Sequence, residues 1–426
     1  MFNFKLTKTM RDVQWSFISL ATASLSHLLL RIVLGRELGP EGLGVYTLVF
    51  TIYLFGMQFA GFGIGSALTK YVAEFSDESS KVKEYVSAGF SSSIITGVMM
   101  AIVLYLVSDF IAMSVFHIPE MGDFLKFVSF CLPFIAIQKM VLGALVGLRK
   151  MKLYALINII QNTFIFLLSI YLVLVLNADV RGAVFGFVIP TIIISIISAF
   201  FIKDLYKITY LSFTDKFKDV AWFGFYFVLA NSIGMINTQI DSLMVGHLMD
   251  ATSVGIYAVA IIIIHGITLI PNSVHTAIAP PIAYHYGKGE YEKTINLIRQ
   301  TMLKVFIVIF VIALVLAFFG ETLIVLLFTN DFIFAYSPLL VLLIGYSIYS
   351  PVHSVDCTLL SIGKVNVIYK IALICAICNI IFNILLIPKY GILGASLATS
   401  MSIILLSILK LYFIKKYVLD LRNTLK

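Results

Sequence analysis

The chain has 426 residues, 60% of them hydrophobic and 12% charged, with a mean hydropathy of +1.02. A water-facing surface needs about twice that share of charge, so a soluble enzyme, a nucleic-acid-binding domain and a disordered chain are excluded. What remains is an integral membrane protein, and its formal net charge of +8 has to be placed against a bilayer first.

A helix needs about 20 mainly apolar residues to cross the hydrocarbon core. Twelve stretches qualify: 12–34, 43–66, 85–108, 124–147, 153–176, 182–202, 221–246, 254–278, 300–320, 335–361, 365–387 and 393–414. The first follows Lys5, Lys8 and Arg11 as a signal sequence would, but it is too long for an h-region and is read as a retained helix. No polar stretch is long enough for a separate soluble domain. The segment 284–300 reads as a short amphipathic connector at the interface.

With the N-terminus inside, the cytoplasmic segments collect 24 Lys and Arg and the outer segments four: Arg36, Lys126, Arg181 and Lys389. Arg31 and Lys139 lie within spans. Acidic residues divide 11 inside and nine outside, with Asp241 and Asp356 in spans. This bias predicts cytoplasmic termini and makes the net charge a topology signal; no nucleic-acid partner is expected. Cys131, Cys357, Cys375 and Cys378 all fall in apolar runs. The Cys375-Ala-Ile-Cys378 spacing lacks partner ligands, so buried apolar thiols are expected, with no cofactor.

The chain also repeats. Gly35, Gly44 and Tyr46 in one interhelical segment match Gly246, Gly255 and Tyr257 in another, at a constant offset of 211 residues. Arg181-Gly182-Ala183 matches Leu393-Gly394-Ala395 at offset 212. Two six-helix lobes follow, 1–210 and 211–426, with a linker at 203–219. Six is even, so the lobes are expected to share one orientation.

Ionisable residues inside a bilayer are costly and face a cavity or a partner. Arg31 either snorkels to the interface or turns inward, where its guanidinium suits a phosphate. Lys139, beside Gln138, is ten residues from Arg149, about 15 Å of helix and beyond easy snorkelling. It is read as a cavity cation or as a buried Lys with a partner. The seventh span carries Asn231, Asn237, Gln239 and Asp241, which read as an ion or proton site or as half of an ion pair. Asn379 and Asn383 share one face of the eleventh span. They either join helices or share a cation site with Asp241, since Na+ prefers such oxygen ligands. His353 and Asp356 share a face of the tenth span after Pro351 and are candidate cavity lining; His265 and His275 read as packing residues. Pro133, Pro190, Pro271 and Pro351 mark bends within spans.

Leu34-Gly-Arg-Glu-Leu-Gly-Pro-Glu-Gly-Leu-Gly-Val-Tyr46, Gln239-Ile-Asp-Ser-Leu-Met-Val-Gly246, Val254-Gly-Ile-Tyr-Ala-Val-Ala260 and Ile387-Pro-Lys-Tyr-Gly-Ile-Leu-Gly-Ala395 resemble the polysaccharide transporter (Wzx-type flippase) family. That family belongs to the multidrug/oligosaccharidyl-lipid/polysaccharide exporter (MOP) superfamily. The resemblance covers essentially the whole chain in order. It implies an all-α, MATE-like membrane fold of twelve transmembrane helices in two parallel-repeat lobes. It also implies alternating access and a polyprenyl-diphosphate-linked oligosaccharide as substrate. The related lipid II flippases have a sodium site whose ligands would fall on Asp241, Asn379, Asn383, the Ala395 carbonyl and the Thr399 hydroxyl. Asn383 stands where those flippases can carry a carboxylate.

The expected function is a flippase of a prokaryotic plasma membrane, moving the glycan lipid from the cytoplasmic to the outer leaflet with Na+ or H+ as coupling ion. Arg31 and Lys139 are the candidate phosphate ligands, Gln138, Asp356 and His353 the candidate cavity lining, and Tyr53 a candidate sugar platform. Membrane lipid and other polysaccharide-assembly membrane proteins are candidate partners. A MATE-like multidrug or metabolite cation antiporter is the alternative. A polymerase or glycosyltransferase is less favoured, because the short outer connections carry no acid/base constellation.

Overall fold

The computed structural model describes residues 8–205 and 213–419, whose regular structure is helical throughout. Lys5 and much of the linker expected at 203–219 lie outside the described residues. Helices are what a bilayer selects, because each satisfies its own backbone N–H and C=O groups where no water can.

The first helix, α1, runs over Lys8–Gly61. Its 54 residues would reach about 80 Å if straight, against a hydrocarbon core of about 30 Å. It does not stay straight. Gly39 takes φ 65° and ψ −173°, a conformation glycine tolerates, and Pro40 restarts the helix where no N–H is required. His27 and Phe50, twelve and eleven residues either side of Gly39, have ring centroids 5.7 Å apart. α1 is therefore an antiparallel pair of spans.

The chain continues through α2 (Ile64–Glu74), α3 (Ser79–Phe110), α4 (Met121–Ser129), α5 (Leu132–Gly147), α6 (Met151–Ile170) and α7 (Asp179–Phe200). Next come α8 (Phe213–Leu248), α9 (Ala251–Gly287), α10 (Tyr291–Leu327), α11 (Tyr336–Ser354), α12 (Cys357–Ser361), α13 (Val365–Tyr390) and α14 (Ile392–Ile414). Among the described residues ten helices are long and apolar enough to cross a membrane, and α4 with α5, bent by 45°, makes an eleventh when counted as one span. Counting α1 as two gives the twelve expected spans.

The connector expected at 284–300 does not form as a separate element. α9 and α10 each run for 37 residues and overshoot the apolar stretch, leaving only a turn at 288–290. Glu290 ties that turn, 2.6 Å from His285 Nδ1 and 3.0 Å from Lys293 Nζ. The hydrogen bond with His285, then that from Lys293, holds the Glu290 carboxyl below its usual value.

The chain divides into two compact units, residues 1–232 and 233–426. The N-terminal half of α8 belongs to the first unit because it packs on α2 and α3. Gly63, at φ 65°, meets Gly224 so closely that a Cβ on Gly224 would stand 2.2 Å from the Phe62 carbonyl oxygen. Tyr85 donates its hydroxyl to Asp219 at 3.1 Å, and Lys70 lies over the rings of Tyr71 and Phe223. Small residues do similar work between α2 and α5, where a Cβ on Gly143 would come 2.0 Å from the Gly65 carbonyl.

Candidate functional site

Two hairpins of the second unit build a buried polar centre. Met249 follows the end of α8 and Asp250 caps α9, its side chain accepting from the Ser253 N–H at 2.7 Å. Asp241 and Tyr257 each lie eight residues from Met249, so the antiparallel pair brings them level. Gly391, at φ 59°, turns α13 into α14, with Gly394 against the Leu386 carbonyl. Asn383 and Thr399 each lie eight residues from Gly391 and are level in the same way.

The four side chains meet around the carboxylate. Asn383 Nδ2 donates to Asp241 Oδ1 at 2.7 Å, and Thr399 Oγ1 donates to Asp241 Oδ2 at 2.5 Å. Tyr257 lies 3.4 Å from the same Oδ2. Asn383 Nδ2 also reaches Asn379 Oδ1 at 3.2 Å, and Thr399 Oγ1 lies 3.0 Å from the Ala395 carbonyl. Asp241 is 4% exposed.

Every donor on this carboxylate is neutral. A hydrogen bond to a charged group contributes roughly 1.5–3 kcal/mol, while burying an ion costs several kcal/mol. The ionised centre is thus close to balance, and a bound cation or proton would tip it. The donor set suits a hard cation, being a carboxylate, two amide oxygens, a hydroxyl and a backbone carbonyl. Among the described residues Asn383 Oδ1 is buried with no hydrogen-bond partner, a free acceptor in the middle of that set. Of the other polar residues of α8, Asn231 bonds the Phe227 carbonyl of its own helix and Asn237 reaches the Ala372 carbonyl of α13.

The first unit carries the opposite charge at the repeat-equivalent sequence position. The 211-residue offset carries Tyr46 onto Tyr257 and Arg31 to position 242, next to Asp241. The 212-residue offset of the last helices carries Phe187 onto Thr399. Around Arg31 the surroundings are aromatic: its guanidinium lies 5.9 Å from the Phe50 ring centre, and Phe187 meets Tyr46, Phe50 and Tyr53. Arg31 is turned into its own lobe. Tyr53 is 6% exposed and closed into this cluster, so it is not an open sugar platform.

Lys139 is exposed on α5, with Gly61 of α1 placed so that a Cβ there would lie 3.8 Å from Lys139 Cβ. Gly61 is eleven residues beyond Phe50, or about 16 Å along the helix. Arg31 and Lys139 therefore mark two levels of the lobe and do not form one clamp.

Gln138 leaves the cavity lining. It is fully buried, donating to Gln161 at 2.8 Å and accepting from Ser195 at 3.2 Å, so it joins α5, α6 and α7. Adjacent helical residues point about 100° apart, which sends Gln138 inward and Lys139 out.

Asp356 and His353 do come together, but with a partner that the charge count had assigned to the cytoplasmic side. Lys410 of α14 is 6% exposed and its Nζ pairs with Asp356 Oδ2. His353 Nε2 lies 2.7 Å from Asn272 Oδ1 and Nδ1 lies 3.8 Å from Asp356. The pair is thus part of a polar cluster within the second unit, and His275 stacks on it at 5.5 Å. The sequence reading missed Lys410 and also Tyr257 as a partner of Asp241.

Residues 9–285 match the model of a family described as polysaccharide biosynthesis proteins. The chain belongs to that family. Residues 227–385 also match the MatE model, and the two together set it among the transporters of the MOP superfamily. It is 27% identical over 414 residues to the capsular polysaccharide biosynthesis protein CapF of Staphylococcus aureus, covering 95% of this chain and 99% of that one. Identity to a putative O-antigen transporter of Shigella flexneri is 23% over 380 residues, covering 87% and 89%. A structure of the lipid II flippase MurJ in an inward closed conformation superposes with a TM-score of 0.78 at 19% identity, over 95% of this chain and 87% of that one. An inward-facing MATE family multidrug transporter gives 0.77 at 15% identity, over 96% and 99%. The fold is that of the MATE-like transporters, a multi-pass helical membrane protein of twelve spans.

Proposed function

We propose that this transporter flips polyprenyl-diphosphate-linked oligosaccharides from the cytoplasmic to the outer leaflet of a prokaryotic plasma membrane by alternating access. Both termini lie in the cytoplasm, the cargo serves cell-surface glycan assembly, and the chain performs no covalent chemistry. The observation that carries the coupling is the 4% exposed Asp241 carboxylate, held by neutral donors beside the orphaned Asn383 Oδ1. Asp241, Asn379, Asn383, Thr399 and the Ala395 carbonyl would hold Na+, which supplies the missing positive charge. In the first unit, Arg31 offers its guanidinium to a diphosphate, and the exposed Lys139 offers a second cation at a separate level of the same unit. A charged headgroup cannot cross hydrocarbon unaided, so cationic stations lower the barrier while the polyprenyl tail stays in lipid.

The MatE match supports a second reading, a multidrug or metabolite antiporter. An antiporter for cationic drugs would present anionic or apolar groups where Arg31 and Lys139 stand. Proteoliposomes offered a fluorescent polyprenyl-diphosphate oligosaccharide or a cationic dye decide between them. Translocation of the lipid supports the flippase, and dye movement alone supports the antiporter.

A further inference from the structure

The second unit contains a buried ionisable cluster that the Asp241 centre does not use. Lys410 of α14 pairs with Asp356 at the break between α11 and α12. His353, three residues earlier on α11, has Nε2 2.7 Å from Asn272 Oδ1 of α9. An amide oxygen only accepts, so the imidazole hydrogen sits on Nε2 and a neutral ring leaves Nδ1 as a bare lone pair. That Nδ1 is buried with no hydrogen-bond partner among the described residues, and so is Asp356 Oδ1. Nδ1 stands 3.8 Å from Asp356 Oδ2, so two acceptors face one another with no proton between them.

We propose that His353 Nδ1 is a proton-binding site of the transport cycle, distinct from the cation centre at Asp241. The step is simple: hydronium gives its proton to the Nδ1 lone pair, water leaves, and the new N–H donates to Asp356. The imidazolium and the Lys410 ammonium then share one carboxylate, so the added charge loosens the hold of α14 on the α11–α12 break. The cluster is not sealed from its surroundings, since Asn272 is exposed and the His353 side chain is 21% exposed. The other titratable groups facing the site are His275 from α9, Tyr349 from α11, Cys357 from α12 and Cys375 from α13. The rings of Tyr349, His353 and His275 stack, with centroids 5.1 and 5.5 Å apart, which fixes the imidazole plane.

The proton site stands on this geometry alone; its place in a transport cycle rests on the flippase reading. Two measurements separate them. Solubilised protein is taken from pH 8 to pH 5.5 with an indicator dye, comparing the wild type with His353→Gln. The wild type is expected to take up about one proton more per molecule. The double variant Asp356→Asn with Lys410→Met, which leaves no unpaired buried charge, is expected to lose the same proton. Equal uptake by wild type and His353→Gln overturns the site. In proteoliposomes with equal Na+ on both sides, a proton gradient is expected to change wild-type translocation of the glycan lipid by about threefold or more, an effect His353→Gln abolishes. A proton-independent wild-type rate overturns the coupling role. No translocation of the lipid under any condition, with the uptake difference intact, overturns the flippase reading and leaves the proton site standing.

Discussion

Asn383 gives its Nδ2 hydrogen to Asp241 Oδ1 at 2.7 Å and keeps its own Oδ1 buried and unpartnered. That free amide oxygen beside the carboxylate is where the proposed sodium would bind. Sodium is therefore expected to raise the melting temperature of the wild type, by the equivalent of about 2.7 kcal/mol at a hundredfold excess over its Kd. Asp241→Asn is expected to show no sodium response. It is also expected to be at least as stable as the wild type without sodium, because a buried carboxylate facing only neutral donors has been removed. A thermal denaturation series in NaCl and choline chloride reads both effects.

Arg31 falls, by the 211-residue sequence repeat, one position from Asp241, with the opposite charge. Arg31→Ala is expected to lower translocation of a diphosphate-linked glycan about 10- to 100-fold, the loss of one or two charge-assisted hydrogen bonds. Arg31→Lys is expected to restore only part, since an ammonium lacks the bidentate fork. Initial rates in proteoliposomes, with monodispersity in detergent as the folding control, test this.

Gln138 is assigned here to packing. Gln138→Leu leaves Gln161 and Ser195 short of a buried partner and is expected to cost about 1–3 kcal/mol of stability. Cargo selectivity is expected to stay unchanged. Gly143→Ala, which drives a methyl group into the Gly65 carbonyl, is expected to cost a similar amount by overpacking. Chemical denaturation alongside a competition assay separates stability from selectivity.

Glu290 supplies a pH test at the α9–α10 turn. Its carboxyl is held below the usual value by His285 and Lys293, so its contribution is present above the unfolded value and lost as pH falls through the lower folded one. Glu290→Gln is expected to melt below the wild type at pH 7, with the gap closing in acid. Melting curves across that range check the sign.

Much of this was legible in the sequence, for identifiable reasons. A span needs a run of apolar residues, and the segment holding Gly35, Gly44 and Tyr46 separates the first two spans. Asn379 and Asn383 share a face by helical spacing, and Thr399 joined them only through the family resemblance. Lys410 was not legible, because it lies among the basic residues that normally end a last helix, and its partner Asp356 is 54 residues away on another element. Gln138 was misread because adjacency to Lys139 in sequence places the two on different faces of α5. The first unit extends to Ser232, since the Gly63–Gly224 approach is a contact between distant segments that no local pattern announces.

The most direct test of the central claim uses purified protein in liposomes carrying a fluorescent polyprenyl-diphosphate oligosaccharide, with a membrane-impermeant quencher added outside. The account expects protein-dependent movement of the probe between leaflets that is accelerated by a sodium gradient in the wild type and lost in Asp241→Asn. Probe movement no faster than in empty liposomes, under any gradient, would contradict it.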